Sequence, residues 1–197
     1  MENNFLNNTL PNNYFIINKI EETGACCYKS ILLQLKMFIP KLKSNLNSSI
    51  IQSKAYNWII NNQYTYIKEF DSTIQDLIFN IHDLTFKEYK DLYKNYSGKE
   101  YTNVENDRWG GIPEIIALSN IYKVNMCVYI VQSYSLKKNK IINGTIINNK
   151  LNKNGRFKLL YCTSNNESND EYNNTINLLW RKKNNIDHFD SLLKSTV

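Results

Sequence analysis

Two short segments at opposite ends of the chain together hold a thiol, an imidazole and a carboxylate. Residues 22–30 read Glu-Thr-Gly-Ala-Cys-Cys-Tyr-Lys-Ser, and residues 187–192 read Asp-His-Phe-Asp-Ser-Leu. Cys26 is a candidate nucleophile, His188 a candidate base, and Asp190 a candidate group to orient that base. The leading hypothesis is therefore a hydrolase that acts through a cysteine.

The first segment is suited to activating a cysteine. Gly24 permits a tight turn, and a helical apolar pattern begins at Cys26. The N–H groups and the dipole at a helix N-terminus stabilise a thiolate. The N–H groups of a turn formed by Thr23, Gly24 and Ala25 could hold an oxyanion. Alternatively, Cys26 and Cys27 are small buried residues at a helix start; if Cys26 faces a cleft, Cys27 points inward.

The second segment is suited to a base held by a carboxylate. On an extended stretch, residues two apart project to the same side, so Asp190 can reach the ring of His188 and fix its tautomer. Phe189 then points into the core. The alternative is a surface histidine near the C-terminus. His82, the only other histidine, lies at a predicted helix end, where it can interact with the last carbonyls, and no second feature supports a catalytic role for it.

Apolar periodicity predicts helices in the first two thirds of the chain and strands mainly in the last third. The first predicted helix starts at residue 26 and stops before Pro40, the second spans 48–61, and the third follows a cap at Ser72. The fourth spans 86–96, and the fifth spans 112–121 with Pro113 in its first turn. The predicted strands lie at 14–20, 124–131, 156–162 and 175–180. The run 124–131 is apolar enough to be buried on both faces. This order predicts an α+β fold.

The chain has 197 residues, 42% of them hydrophobic, which suits one sizeable domain. Residues 1–13 are polar and rich in asparagine, which predicts a flexible arm before a single domain at 14–197. The net charge of +6 is interpreted as favouring solubility. The lysines are scattered and no nucleic-acid-binding signature accompanies them, so nucleic acid is not an expected partner. A basic nucleic-acid-binding protein, with incidental cysteine and histidine, is the rival hypothesis.

No apolar run approaches the roughly 20 residues of a membrane span, and the first residues lack the pattern of a signal peptide. We therefore expect an intracellular protein with no membrane partner. In a reducing compartment its cysteines are expected to remain thiols. The four cysteines are Cys26, Cys27, Cys127 and Cys162. There is no Cys-x-x-Cys pair and no spaced histidine pair, so we expect neither a metal site nor a cofactor.

Three blocks resemble motifs of the ovarian tumour (OTU) cysteine proteases. Residues 23–30 are similar to that family's nucleophile motif Asp-Gly-Asn-Cys-Leu-Phe-Arg-Ala. Residues 109–122, which begin Trp-Gly-Gly, resemble its Trp-Gly-Gly helix and the strand after it. Residues 187–192 resemble its His-aromatic-Asp/Asn-Ser-Leu ending. The blocks occur in the family's order, so their joint match is more specific than any one of them. The compact size resembles viral members.

The resemblance implies a papain-like α/β fold of the OTU type, with helices packed around a small central sheet. It implies hydrolysis of ubiquitin, or a ubiquitin-like modifier, from its conjugates. Cys26 would be the nucleophile, His188 the base and then the acid, and Asp190 the orienting group. Trp109 and Gly110 would lie beside the channel for the modifier's Gly-Gly tail. Ubiquitin or a ubiquitin-like protein is the expected partner of a cytoplasmic monomer, in the host cytoplasm if the protein is viral.

Three of the chain's departures from the family's motif lie at polar positions of that motif. Thr23 stands where the family has Asp, Ala25 where it has Asn, and Lys29 where it has Arg. The Asp and Asn help to shape the oxyanion turn, so their loss could lower activity. The alternative is therefore a catalytically weak or inactive OTU-fold protein that binds ubiquitin. Backbone N–H groups could still serve the reaction, so the enzyme hypothesis is kept.

Overall fold

The computed structural model describes residues 9–10, 15–39, 42, 46–94, 110–135, 140–142, 146–147, 150–151, 155–163, 175–183 and 186–194. The helices are α1 (Cys26–Phe38), α2 (Ser48–Asn61), α3 (Ile74–His82), α4 (Phe86–Lys94) and α5 (Ile112–Tyr122). The strands are β1 (Thr9–Leu10), β2 (Phe15–Asn18), β3 (Tyr66–Ile67), β4 (Ser72–Thr73), β5 (Asn125–Ser135), β6 (Lys140–Ile142), β7 (Ile146–Ile147), β8 (Lys150–Leu151), β9 (Gly155–Cys162), β10 (Thr175–Lys183) and β11 (Ile186–Lys194).

These elements belong to two compact units. The helical unit is Glu21–Val124, and it holds α1 to α5 with the small β3–β4 hairpin. The sheet unit combines Met1–Ile20 with Asn125–Val197. The α+β class predicted from the sequence is confirmed. The boundary between an arm at 1–13 and a domain at 14–197 stays a prediction, because Thr9 and Leu10 are the only residues of the arm that the structure describes. These two residues form β1, which pairs with β9.

The helical unit closely follows the predicted helices. Helix α2 has the predicted bounds, and the side chain of Asn47 caps it by accepting from the Ile50 amide at 2.9 Å. Helix α4 begins at residue 86 as predicted and is described to Lys94. The predicted cap of α3 is wrong by one residue: Thr73, not Ser72, accepts from the Asp76 amide. The Asp76 carboxylate in turn accepts from the Thr73 amide, which completes a capping box.

Helix α5 packs against α2 and α3. Its interior side chains Ile115, Ala117 and Leu118 are fully buried, which fits a helix that is apolar on several sides. Pro113 lies in its first turn, as predicted, where a missing N–H leaves no helical bond unmade. Glu114, at the third helical position, accepts from the Gly111 amide at 2.7 Å. This is the carboxylate half of a capping box.

Within the described residues, the sheet unit contains the β7–β8 pair and a mixed sheet of seven strands. Its order is β1-β9-β5-β10-β11-β2, and β6 pairs with the end of β5. The β5–β10 pair is parallel and the other pairs are antiparallel. Each predicted strand is present. β11 was predicted only as an extended stretch, and the structure makes it a full strand between β10 and β2.

Residues 126–129 and 131 of β5 are buried, so this part of the strand is covered on both faces, as predicted for its apolar run. On one face of β5, the ring of Tyr129 contacts the ring of Phe15 at a centroid distance of 5.1 Å. The Phe15 ring also contacts the Phe157 ring at 5.6 Å. The buried residues of this cluster come from five strands. They are Phe15, Ile17, Cys127, Tyr129, Val131, Phe157, Leu179 and Leu192. These contacts hold β2, β5, β9, β10 and β11 in one register.

The expectation of thiols throughout is wrong for two of the four cysteines. Cys127 and Cys162 form a disulfide with an S–S distance of 1.98 Å. The physical reason is the antiparallel pairing of β5 with β9, which sets the two residues opposite each other although they are 35 positions apart in sequence. Local sequence pattern carries no information on this pairing. Cys26 and Cys27 take no part in a disulfide.

Candidate functional site

The turn before α1 places Cys26 as the first residue of that helix. The Cys26 amide donates to the Thr23 carbonyl at 2.9 Å, and the Lys29 amide donates to the Ala25 carbonyl at 2.9 Å. Ala25 is the N-cap residue. The structure thus agrees with the predicted glycine turn leading into a helix. Cys26 itself is only 1% exposed.

Cys27 is enclosed inside the helical unit and has a different environment. It is fully buried, and burial, together with the nearby Cys26 and Glu114, raises the pKa of its thiol well above the ordinary value. A Cβ placed on Gly110 would lie 2.9 Å from the Cys27 Cβ and 3.1 Å from its Sγ. The backbone at Gly110 therefore packs directly on Cys27, which is a protonated packing residue at neutral pH.

The turn residues that depart from the family's motif are also buried. Thr23 is 8% exposed and Ala25 3%. The Thr23 hydroxyl oxygen has no hydrogen-bond partner within the described part of the chain. A threonine here places one hydroxyl where the family's motif has a carboxylate. The turn therefore differs in side-chain chemistry from that motif while keeping its glycine.

The predicted pairing of His188 with Asp190 is confirmed. Both lie on β11, and His188 Nε2 is 2.9 Å from Asp190 Oδ1. His188 is 3% exposed and Asp190 is fully buried. The pairing follows from the strand's period of two, because both side chains project to the same face. The carboxylate accepts the Nε2 proton, so the ring's Nδ1 is the nitrogen that could act as a base.

Asp190 has two further partners that the sequence did not reveal. The Ile20 amide donates to Oδ1 at 2.9 Å, and Arg181 Nη2 lies 2.5 Å from Oδ2. The Arg181 contact is an ion pair. Burial alone would raise the pKa of the Asp190 carboxyl, but the bonds from His188 and Ile20 and the Arg181 charge outweigh it and lower the pKa. Asp190 therefore stays ionised.

Strand register explains how Arg181 reaches this carboxylate. In the β10–β11 pair, Arg181 is opposite His188 and Leu179 is opposite Asp190. Arg181 is thus the diagonal neighbour of Asp190 on the same face, within reach of a long side chain. The sequence signal was a basic residue at the end of a predicted strand, but only the register says which carboxylate it meets.

The two residues predicted to line a substrate channel have separate outcomes. Trp109 lies outside the described residues. Gly110 is described, is buried, and contacts Cys27 as above. Their predicted part in substrate binding stays a prediction.

A buried polar network near Gly111 was missed by the sequence analysis. Glu114 is fully buried and accepts from Tyr89 Oη at 2.6 Å and from the Gly111 amide at 2.7 Å. His82 Nε2 lies 3.2 Å from the same carboxylate. Burial would raise the pKa of Glu114, but the His82 charge and these bonds lower it. Burial would lower the pKa of His82, but Glu114 raises it.

No three His, Cys, Asp or Glu side chains converge on a common point in the described ranges. No helix in the part of the chain that the structure describes is long and apolar enough to cross a bilayer.

The structure thus brings together some of the predicted site residues. His188 and Asp190 meet in the sheet unit, and Thr23 to Cys26 form one turn in the helical unit. The predicted meeting of the Cys26 thiol with the His188 ring stays a prediction, as do the catalytic roles of all three residues.

Comparison with known proteins adds a likeness in structure but none in sequence. No family model matches the chain, and no curated protein sequence matches it either. The solved OTU domain of Hazara virus, bound to ubiquitin, is 14% identical; the match covers 97% of this chain and 89% of that one, with a TM-score of 0.51. An OTU deubiquitinase from Wolbachia pipientis wMel, bound to ubiquitin, is 16% identical over 94% of this chain and 98% of its own, with a TM-score of 0.49.

The viral OTU domain protease from Qalyub virus is 15% identical, and the match covers 95% of this chain and 90% of that one, with a TM-score of 0.49. At 14% identity, the likeness to the Hazara virus domain shows a shared fold and nothing finer. The Hazara virus domain has the highest TM-score of these three structures, and its likeness extends over nearly the whole chain. It agrees with the resemblance of the three sequence blocks, which occur in the family's order. This protein therefore has the OTU fold.

Proposed function

We propose that this protein is a thiol-dependent hydrolase that removes ubiquitin or a ubiquitin-like modifier from its conjugates. Cys26 is the nucleophile, His188 the general base and then acid, and Asp190 the group that orients the ring. The observation that carries the proposal is the buried His188–Asp190 hydrogen bond of 2.9 Å on β11. A buried imidazole held through Nε2 by an ionised carboxylate has the tautomer that a base acting through Nδ1 requires.

Two further observations support the choice of substrate and nucleophile. The Hazara virus OTU domain, whose fold this chain shares, is bound to ubiquitin in its solved structure. Of the two adjacent cysteines, Cys27 is buried with a raised pKa under Gly110, so it is a poor source of thiolate. Cys26 begins the helix, where the backbone dipole favours an anion.

The proposed reaction is acyl transfer through a thioester. The Cys26 thiolate attacks the carbonyl carbon of the modifier's terminal glycine, and the C–N bond breaks as His188 gives a proton to the leaving lysine amine. Water, deprotonated by His188, then attacks the thioester, the C–S bond breaks, and the thiol is regenerated. The Cys26 amide already donates within its turn, so the amides of Gly24 and Ala25, in the turn with Thr23, hold the oxyanion.

The proposal also includes the finer expectations from the resemblance. Gly110, with Trp109, lines the channel for the Gly-Gly tail. The protein acts as a cytoplasmic monomer without a metal or cofactor, in a host cell if it is viral, and residues 14–197 form its catalytic domain.

A ubiquitin that carries a thiol-reactive group at its C-terminus tests the proposal. We expect covalent capture by the wild-type protein at Cys26, mapped by mass spectrometry. Cys26→Ala is expected to prevent capture, and Cys26→Ala and His188→Ala to abolish turnover of a fluorogenic ubiquitin conjugate. Cys27→Ala should remain active and lose mostly packing stability. A folded but inactive Cys27→Ala protein beside an active Cys26→Ala protein would reverse the assignment.

A second candidate function is favoured by the state of the nucleophile turn. Cys26 is 1% exposed, its amide donates to Thr23, and Thr23 and Ala25 replace two residues of the family's oxyanion turn. These observations favour an OTU-fold protein that binds ubiquitin with little or no cleavage. Reversible binding of the reactive ubiquitin without capture would support this binder and exclude the hydrolase.

A further inference from the structure

The carboxylate of Glu114 holds together three parts of the helical unit. Tyr89 of α4 donates to its Oε1, the Gly111 amide before α5 donates to its Oε2, and His82 at the end of α3 lies 3.2 Å from the same Oε2. We call these three side chains with the Gly111 amide the Glu114 network. Glu114 is fully buried, and the His82 side chain is 10% exposed. A buried carboxylate with this many donors is rigid, because each lost bond leaves a charge unsolvated.

The Glu114 network lies against Gly111, the second glycine of the Trp-Gly-Gly block, and residues of α1 lie against the first, Gly110. A Cβ on Gly111 would lie 3.3 Å from His82 Cε1 and 3.2 Å from Ile81 Cγ2. A Cβ on Gly110 would meet Cys27 at 2.9 Å and Tyr28 at 3.1 Å. The backbone of both glycines is therefore fixed between the end of α3 and the first turn of α1, the turn that begins with Cys26.

We propose that His82 is a positioning residue that acts through Glu114 to fix the backbone at Gly110 and Gly111, and thereby sets the affinity for the C-terminal tail of the modifier. The part concerning the tail rests on the proposed function. His82 contacts no reacting group in this proposal. It supplies the positive charge that keeps the Glu114 carboxylate ionised. The ionised carboxylate accepts a stronger hydrogen bond from the Gly111 amide than a neutral acid would.

The groups that face His82 are few in the described structure. Glu114 faces it from α5, and the Tyr89 ring faces it from α4 at a centroid distance of 5.9 Å. Asp83 follows it in the chain and is exposed. Glu114 is thus the buried charge paired with His82, and its effect on the histidine is to favour the protonated form. The Glu114 network should consequently weaken as rising pH removes the His82 proton.

Three variants separate this role from a general effect on folding. His82→Ala removes the partner of Glu114. His82→Gln keeps an N–H donor near the position of Nε2 but cannot become charged. Asn80→Ala, at an exposed position on the same helix, is the matched control. Circular dichroism establishes that each protein is folded before it is compared.

The first measurement is hydrogen exchange at the Gly111 amide, followed by NMR. We expect exchange to quicken about tenfold in His82→Ala, the factor that corresponds to weakening one charge-assisted hydrogen bond. His82→Gln, which keeps the donor but not the charge, should show protection between that of the wild type and that of His82→Ala near neutral pH. After correction for intrinsic exchange, protection should fall with rising pH in the wild type and stay level in His82→Gln. Asn80→Ala should match the wild type.

The second measurement is steady-state hydrolysis of a fluorogenic ubiquitin conjugate. We expect His82→Ala to raise KM about tenfold with a smaller change in kcat, because a looser Gly110–Gly111 segment weakens tail binding. Alkylation of Cys26 by iodoacetamide should keep its wild-type rate, which separates tail binding from thiol reactivity.

The two measurements also separate this inference from the proposed function. Wild-type protection of Gly111 in His82→Ala would overturn the network's role, whatever the activity. Faster exchange with unchanged KM would overturn the positioning role. If the wild type neither cleaves nor binds ubiquitin or a ubiquitin-like protein, the proposed function and the tail-binding role fail together, while the exchange data still decide whether His82 fixes Gly111.

Discussion

Asp190 connects three segments of the sheet unit through one carboxylate. It accepts from His188 on its own strand and from the Ile20 amide beyond β2, and it pairs with Arg181 on β10. Its ionised state and its rotamer are both fixed by these contacts. A residue with this environment can hold an imidazole in one orientation, which is the role proposed for it.

Asp190→Asn tests that role. The amide cannot supply the negative charge that favours the imidazolium formed during catalysis, so we expect kcat to fall by about a hundredfold, within the usual range for acid–base groups. The loss should be milder than for Cys26→Ala or His188→Ala, because packing still holds the ring. Hydrolysis of a fluorogenic ubiquitin conjugate measures it. Asp187→Asn, one position before His188, is the control, and an unchanged rate in Asp190→Asn would remove Asp190 from the mechanism.

At the scale of elements, helix α3 carries His82 at its last position, so its stability bears on the Glu114 network. The helix has only 9 residues, too few to be stable by propensity alone. Its first turn is held by the Thr73–Asp76 capping box, and its C-cap, Asp83, has a left-handed conformation with φ of 54°.

The N-cap of α3 gives a matched pair of variants. Thr73→Ala removes the side chain that accepts from the Asp76 amide, so we expect the free energy of unfolding to fall by about 1 kcal/mol. Ser72→Ala, in the adjacent strand position, should leave it nearly unchanged. Urea unfolding followed by circular dichroism measures both. Equal losses of unfolding free energy in the two variants would contradict the assignment of Thr73 as the N-cap of α3.

At the scale of the whole molecule, the buried ionised groups make stability depend on pH. Folding raises the pKa of His82 and lowers those of Glu114 and Asp190. The His82 contribution is fully present below its ordinary value of about 6.5 and is lost as pH rises through the folded value. The two carboxylates contribute above their ordinary values of about 4, and that contribution is lost as pH falls through the folded values.

We therefore expect the free energy of unfolding to be greatest between about pH 4.5 and pH 6.5 and to fall on both sides. Urea unfolding at pH values of roughly 3, 5.5 and 8.5 measures this dependence. In His82→Gln the fall on the alkaline side should be much smaller, because the titrating group is gone. A wild-type stability that rises steadily up to the most alkaline condition would contradict the assignment of charge to His82.

Local pattern was sufficient for most of the elements and for one pair of site residues. Helix α2 has its predicted bounds, and each predicted strand is present, because burial of one face or of both leaves a period in the sequence. His188 and Asp190 were predicted to meet because two residues apart on a strand share a face. The cap of α3 was misplaced by one residue because Ser72 and Thr73 have similar capping preferences.

The sequence by itself determined which residues have the chemistry for acyl transfer and which stretches form helices and strands, since both depend on residue type and near neighbours. Only the tertiary structure decided which distant residues meet. Register in the sheet brought Arg181 and the Ile20 amide to Asp190 and set Cys127 opposite Cys162. Packing of α3, α4 and α5 gave His82 a buried partner in Glu114. Periodicity specifies the face on which a side chain lies, and the neighbour across that face depends on how remote segments pair.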